Sequence, residues 1–201
     1  MIKVQGKLPK EFYVAVSGGP DSLAALDFFS KSNNKVHAIF VHHGTKSSNF
    51  GQRAVEHYCS GRQVSYESAT ITGKISQGQS LEEYWRNERY KIFHSKDLPV
   101  VTCHQLDDCI EEYLINTLVR GRLGIIPYQN KNVIRPLRRT EKQDLLDWCA
   151  QNDIAYITDN TNTDQRFLRP RVRNIAAQVN ALINPGLKKL VHKMVIQDKP
   201  Q

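Results

Sequence analysis

Apolar positions along the chain switch repeatedly between strand-like and helix-like spacing. Residues 11–16 read as a strand, and the stretch from Asp21 to Ser32 places Leu23, Leu26 and Phe29 at helical intervals. From Lys35 to Val41 the chain is almost continuously apolar, as expected of a strand covered on both faces. A stripe of Phe50, Ala54, Val55, Tyr58 and Cys59 then predicts a helix capped by Ser47-Ser48 and running to Arg62, and Val64 to Ile71 predicts a third strand. After a polar loop over 72–79, Ser80-Leu-Glu-Glu83 has the form of a capping box opening the next helix. Leu98 to Cys103 predicts a fourth, short, buried strand, followed by a helix through Val119 that Arg120-Gly121 would end. Val133 to Leu137 predicts a fifth strand, kept short by Pro136, and Thr140-Glu-Lys-Gln143 a further capped helix carrying Leu145, Leu146, Trp148 and Cys149. Strands alternating with helices predict an α/β fold: a doubly wound, mainly parallel five-stranded, Rossmann-like sheet over residues 1–139. Residues 140–201 would form a small basic helical extension, continuous with that unit and broken at Asn184-Pro185-Gly186.

Composition narrows the possibilities. A chain of 201 residues, 40% apolar and 24% charged, suits one good-sized globular unit. No apolar run approaches the roughly 18–20 residues of a membrane span and no signal-peptide pattern opens the chain, so the expectation is a cytoplasmic protein without a membrane partner. Cys59, Cys103, Cys109 and Cys149 make no C-x-x-C pair, which argues against a zinc site, a redox motif or a cysteine-held iron–sulfur cluster and predicts reduced, buried thiols. Of the net charge of +8, residues 131–201 hold +6, from 13 Lys and Arg against 7 Asp and Glu. Such asymmetry fits either a nucleic-acid contact surface or a solvated basic face.

The strongest chemical signal lies between the first strand and its helix, in Ser17-Gly18-Gly19-Pro20-Asp21-Ser22. Paired glycines let backbone N–H groups approach an anion, Pro20 pre-sets a first helical turn, and the helix directs its positive end at phosphates that Asp21 can help neutralise through magnesium. The spacing fits neither the Walker loop nor G-x-G-x-x-G. An ordinary strand-to-helix turn would use the same string, but its position after a strand and before a helix favours nucleotide binding. His43 stands at the end of the second strand, on the edge where such sheets gather ligands. Arg86 and Arg89 share a helix face, either for function or as partners of Glu82, Glu83 or Glu88. Asp107 and Asp108 follow His104 at the same edge, either as magnesium ligands or as a cap and dipole complement, with Glu111 one turn later. In the basic run after the Asp159-to-Asp164 turn, Arg169 and Arg173 would share a face if Pro170 opens a helix, and Arg171 would point elsewhere.

Taken in order, these motifs resemble the tRNA(Ile)-lysidine synthetase family from about Phe12 to Leu187. Ser17 to Ser22 is similar to its PP-loop, Val41 to Gly44 to its second-strand signature, and Arg86 to Tyr90 to its R-x-x-R-Y helix. His104, Asp107, Asp108 and Glu111 resemble its H-x-x-D-D-x-x-E segment, continuing into Arg120-Gly121. Arg135-Pro136-Leu137, Asp159-x-Thr161-Asn162 and Arg169-x-x-x-Arg173 complete the set. The resemblance implies an adenine nucleotide alpha hydrolase-like fold and an ATP- and Mg2+-dependent ligase. That enzyme adenylates the wobble cytidine of a tRNA(Ile) with a CAU anticodon, and free lysine then displaces AMP. It implies Ser17, Gly18, Gly19, Pro20, Asp21 and Ser22 as the ATP site, with Asp21 and Asp107 as magnesium ligands. Asp21, Arg86, His104, Asp107, Asp108 and Arg173 would form the catalytic set, and Arg120, Arg169 and Arg171 would contact tRNA. His42, Gln105 and Cys109 depart from the family's usual residues, and the resemblance implies a short form without the C-terminal domains of longer members. A thiolation enzyme of the same superfamily and a non-catalytic RNA-binding relic are the other readings.

Overall fold

The computed structural model describes residues 1–158, 168–183 and 186–198. The turn from Asp159 to Asp164, Arg166, and the Asn184-Pro185 break lie outside the described residues. Strands β1 (Glu11–Val16), β2 (Lys35–His42), β3 (Ser65–Thr70), β4 (Val100–Val101), β5 (Gln129–Asn130) and β6 (Val133–Ile134) form one sheet in the order β3-β2-β1-β4-β6-β5. All pairings are parallel except β5 with β6. The helices are α1 (Pro20–Ser30), α2 (Lys46–Arg62), α3 (Leu81–His94), α4 (Leu106–Leu114), α5 (Lys142–Gln151), α6 (Leu168–Ile183) and α7 (Gly186–Gln197).

Alternation along the central strand decides which helix covers which face. Phe12, Val14 and Val16 of β1 pack with Leu23 and Leu26 of α1, Val55 and Tyr58 of α2, and Leu145 and Cys149 of α5. Tyr13 and Ala15 turn the other way, with Ile39 and Val41 of β2, toward Phe93 and Tyr90 of α3. A separate apolar cluster joins Cys109 and Ile110 of α4 to Val172 of α6 and to Val191 and Val195 of α7. No helix among the described residues is long and apolar enough to cross a membrane.

The expected strands are present, with a sixth added. Tyr128 to Asn130 doubles back through Lys131, which adopts a positive φ of 54°, to pair antiparallel with β6. A two-residue strand carries no readable alternation, which is why periodicity does not reveal it. Two caps and one helix geometry also differ from expectation. Thr45, rather than Ser47-Ser48, caps α2, its hydroxyl accepting from Ser48 N at 3.1 Å. Glu141 caps α5 in a box with Asp144, because Thr140 is engaged with both Lys3 N and Lys3 O at 2.9 Å. The helix through Val119 is α-helical only to Leu114 and then widens into a π-helical turn over Ile115–Val119, before Gly121 closes it at φ 62°. Arg138, fully buried, clasps the end of α7: its guanidinium donates to Asp198 Oδ2 (2.6 Å), Ile126 O (2.7 Å) and Gln5 Oε1 (3.0 Å).

Candidate active site

β1, β2 and β4 are parallel neighbours, so the turns that follow them open on one edge. After β1 the chain turns through Gly18 at φ 83°, and Gly19 enters α1 in extended geometry with no side-chain cap. The first N–H groups of α1 are therefore left for an incoming acceptor. Ser17 and Ser22 brace the turn from within: their hydroxyls lie 3.2 Å apart, Ser22 Oγ accepts from Ser17 N (3.1 Å) and donates to Gly19 O (3.0 Å). Ile157 N holds the turn from outside, donating to Gly18 O at 2.9 Å.

A glycine not singled out in the sequence makes this packing possible. A Cβ on Gly51, within α2, would come within 2.5 Å of Ser17 O, and one on Gly18 within 2.7 Å of Gly51 O. Loop and helix backbones thus meet in direct contact. The available signal was an isolated glycine inside an otherwise helical stretch, costing about 1 kcal/mol relative to alanine unless packing requires it.

Asp21 sits in the first turn of α1, where its Oδ1 is buried without a hydrogen-bond partner among the described residues. Burial raises its pKa; Lys142 and Arg173 oppose that, and Asp107 and Glu111 add to it. An orphaned carboxylate oxygen beside uncapped helix N–H groups fits a cation shared with phosphate. Among the described residues no three His, Cys, Asp or Glu side chains converge as a metal cage. Magnesium bound with a nucleotide takes one or two carboxylates, with phosphates and water completing the shell.

The N-terminus of α4 faces the same region, with a division of labour between its acids. Gln105 is the cap, accepting from Asp107 N at 2.6 Å, and Asp108 Oδ2 closes the box on Gln105 N at 2.9 Å. Asp107 therefore does not cap the helix. Burial raises the pKa of both acids, that of Asp108 to about 6, with Glu111 and Asp21 adding to the rise at Asp108. His104 Nδ1 lies 2.9 Å from Thr102 Oγ1, and burial followed by Arg135, Arg169, Arg89 and Arg86 holds its pKa well below the usual histidine value.

Arginines from three elements meet this acidic end. Arg173 grips Glu111 with Nε and Nη2, at 2.6 and 3.3 Å. Arg169 reaches Glu112 (3.3 Å) and Glu82 (3.6 Å), and Arg120 reaches Glu112 (2.8 Å) and Asn116 (2.9 Å). Arg169 and Arg173 share a face of α6, and Arg171 is exposed. Arg86 does not take its helix acids as partners: it lies over Tyr90, while Glu88 pairs with Lys91. His43 stacks on Trp85 with centroids 5.1 Å apart; burial, and after it Arg89, lower its pKa to about 4. Glu112, Lys142 and Asn116 were not singled out by any motif as site residues. The four cysteines are unpaired, and Cys103 is half-buried rather than buried.

The family model for the PP-loop domain matches residues 2–179. Among curated relatives, the tRNA(Ile)-lysidine synthase of Exiguobacterium sibiricum is 30% identical over 196 residues, covering 90% of this chain and 46% of the relative. The bifunctional protein TilS/HprT of Listeria monocytogenes is 34% identical over 181 residues, covering 80% of this chain and 28% of the relative. The chain thus spans less than half the length of each. The fold is also that of the U34-tRNA thiolase NcsA from Methanococcus maripaludis, solved with its [4Fe-4S] cluster: TM-score 0.74, 18% identity, 95% of this chain and 73% of that one.

Proposed function

This chain belongs to the PP-loop domain family, and we propose that it is an ATP-dependent carbon–nitrogen ligase that attaches free lysine to the wobble cytidine of a CAU-anticodon tRNA(Ile). The observation that carries the reading is the pairing of the uncapped Gly18-Gly19 turn and the orphaned Asp21 oxygen with the acids and arginines of α4 and α6. The names of the matched relatives supply the substrate class.

In this reading Ser17 to Ser22 hold the triphosphate of ATP: Gly18 and Gly19 let the backbone approach it, Pro20 sets the first turn of α1 so that the N–H groups after it point at the phosphates, and Ser17 and Ser22 keep the turn in shape. Asp21 and Asp107 would hold Mg2+, which when bound offsets charge on the phosphates and the leaving pyrophosphate. Arg86 and Arg173 meet the charge that develops as the cytidine carbonyl oxygen attacks the α-phosphate. The lysine amine then adds to the activated ring carbon, AMP leaves, and the amine proton passes to a nearby base. Asp108, its pKa raised to about 6, is better matched to that task near neutral pH than His104, whose pKa is held low and which serves as a neutral hydrogen-bonding group. Arg120, Arg169 and Arg171 face RNA phosphates. The described residues of the 140–201 segment act as part of the same unit, supported by α5 on α1 and by α6 and α7 on α4. A reaction drawing on ATP, tRNA and lysine places the protein in the cytoplasm.

Mass spectrometry of tRNA(Ile) incubated with ATP, Mg2+ and lysine tests the proposal. The expected result is a lysyl mass gain on the anticodon cytidine, with stoichiometric AMP and pyrophosphate. ATP consumption with no such gain, or a sulfur-sized gain with a sulfur donor, would overturn it.

A further inference from the structure

Resting on the function proposed above, we propose that Tyr90 and Arg135 are positioning residues for Arg86 and that they join it to the base of the 120–127 loop. Arg86 and Tyr90 lie one turn apart on α3, and the exposed Arg86 guanidinium sits over the Tyr90 ring, 5.7 Å from its centroid. Arg135, directly after β6 and only 2% exposed, brings its guanidinium to 5.8 Å from the same centroid. Its Nη2 donates to Tyr90 Oη at 2.8 Å, its Nη1 to Pro127 O at 2.9 Å and its backbone N–H to Tyr128 O at 2.9 Å.

These hydrogen-bond acceptors are all neutral oxygens, and Arg135 Nε is buried without a partner among the described residues. A guanidinium held this way costs desolvation that an apolar side chain of similar length would avoid. Packing alone therefore does not account for it. Its geometry does one further thing: it fixes the Tyr90 ring by its hydroxyl, and the ring fixes Arg86. An exposed arginine loses rotamer entropy when it is aimed at a reacting group, and a prepared aromatic face removes part of that loss before substrate arrives. Because the same guanidinium holds Pro127 O, Arg86 and the loop that begins at Arg120-Gly121 share one anchor. The Arg86 position matters where charge develops, so the effect belongs in turnover and not in ATP affinity.

Tyr90→Phe tests this by keeping the ring and removing only the hydroxyl. Melting temperature should fall by about 2–6 °C, because the buried Arg135 Nη2 loses its acceptor, and the Kd for Mg-ATP should stay within about two-fold. Single-turnover AMP formation with tRNA and lysine should fall about ten-fold. In an Arg86→Ala background the same change should cost nothing further, since both remove one function. Wild-type turnover in Tyr90→Phe, or losses that multiply in the double variant, would overturn the proposal. If the wild type transfers no lysine, the functional reading fails, and arginine-selective NMR decides the positioning role alone. The Arg86 Nε–Hε resonance should be displaced by the ring in wild type and move toward its solvent-exposed value in Tyr90→Phe; an unchanged resonance would overturn it.

Discussion

Helix α1 carries two carboxylates six residues apart, in opposite circumstances. Asp27, near its C-terminal end, is 1% exposed and accepts from Tyr58 Oη and Trp148 Nε1 at 2.8 Å each, with Lys31 at 2.8 Å and Arg62 at 3.8 Å. Burial alone would raise its pKa, but the bonds from Lys31, Tyr58 and Trp148 outweigh it and the pKa is lowered. Asp21, in the first turn, has the favourable end of the helix dipole, an orphaned oxygen and a raised pKa. Asp27 ties α1 to α2 and α5, and its charge is answered from within the protein. Asp21 is left incompletely answered, as is fitting for a group that a ligand completes.

The sharpest test replaces each in turn. Asp21→Asn should lower turnover by about 10²–10³-fold, the scale of losing an electrostatic catalytic group, while the melting temperature holds or rises because a strained charge is gone. Asp27→Asn should do the reverse, lowering stability by about 1–3 kcal/mol through unpaired donors and leaving turnover per folded molecule intact. Asp27 should keep stabilising the fold into strong acid: its pKa is lowered from 3.8, so its contribution is complete above that value and disappears as pH falls through the lower folded value. Chemical denaturation beside single-turnover kinetics measures both, and parallel losses in the two variants would erase the distinction.

Arg173 stands between the two types, since it grips Glu111, a nearly buried carboxylate. Arg173→Ala should lower turnover sharply, on the order of 10²-fold if the arginine meets developing charge, with a smaller loss of stability from stranded Glu111. Equal loss of stability and rate, or no loss of rate, would make it a brace like the partners of Asp27. Arg171→Ala should mainly weaken tRNA binding, by an amount that shrinks at high salt as counterion release predicts.

Gly51→Ala asks whether the phosphate turn depends on α2. The added methyl must displace Ser17 O, 2.5 Å away, so calorimetry should show Mg-ATP affinity weakened about ten-fold, a cost of ~1.4 kcal/mol. Unchanged affinity would mean that Ser17, Ser22 and Ile157 hold the turn without help from α2. The smallest effect concerns Asp108, whose folded pKa of about 6 exceeds the ordinary 3.8. Its ionised form burdens the fold above pH 6, and the burden lifts as pH falls toward 3.8. Asp108→Asn keeps an acceptor for Gln105 N and should raise the melting temperature at pH 8 by about 2–4 °C, a gain that should fade toward pH 4 as the wild-type acid protonates. A gain that persists at pH 4 would assign it to packing instead of charge.

Local chemistry was legible from residue order because it depends on a few neighbouring positions. Hydrophobic period separated strands from helices, Gly18 announced a positive φ, and Gly121 announced the end of the α4 segment. Parallel strands with short turns also brought Asp21 and the acids of α4 to one edge, since β1 and β4 are neighbours. What the tertiary structure decided were matters of distance between residues far apart in the chain. Thr140 lost its expected cap because Lys3, 137 positions away, takes its hydroxyl. Asp27, indistinguishable in sequence from a surface acid, became a buried hub because Trp148 and Tyr58 close on it. Gly51, Glu112 and Lys142 gained their meaning only where another element's backbone or charge arrived. Hydrogen bonds and desolvation act over a few ångströms, and a one-dimensional pattern records which groups exist without recording which of them meet.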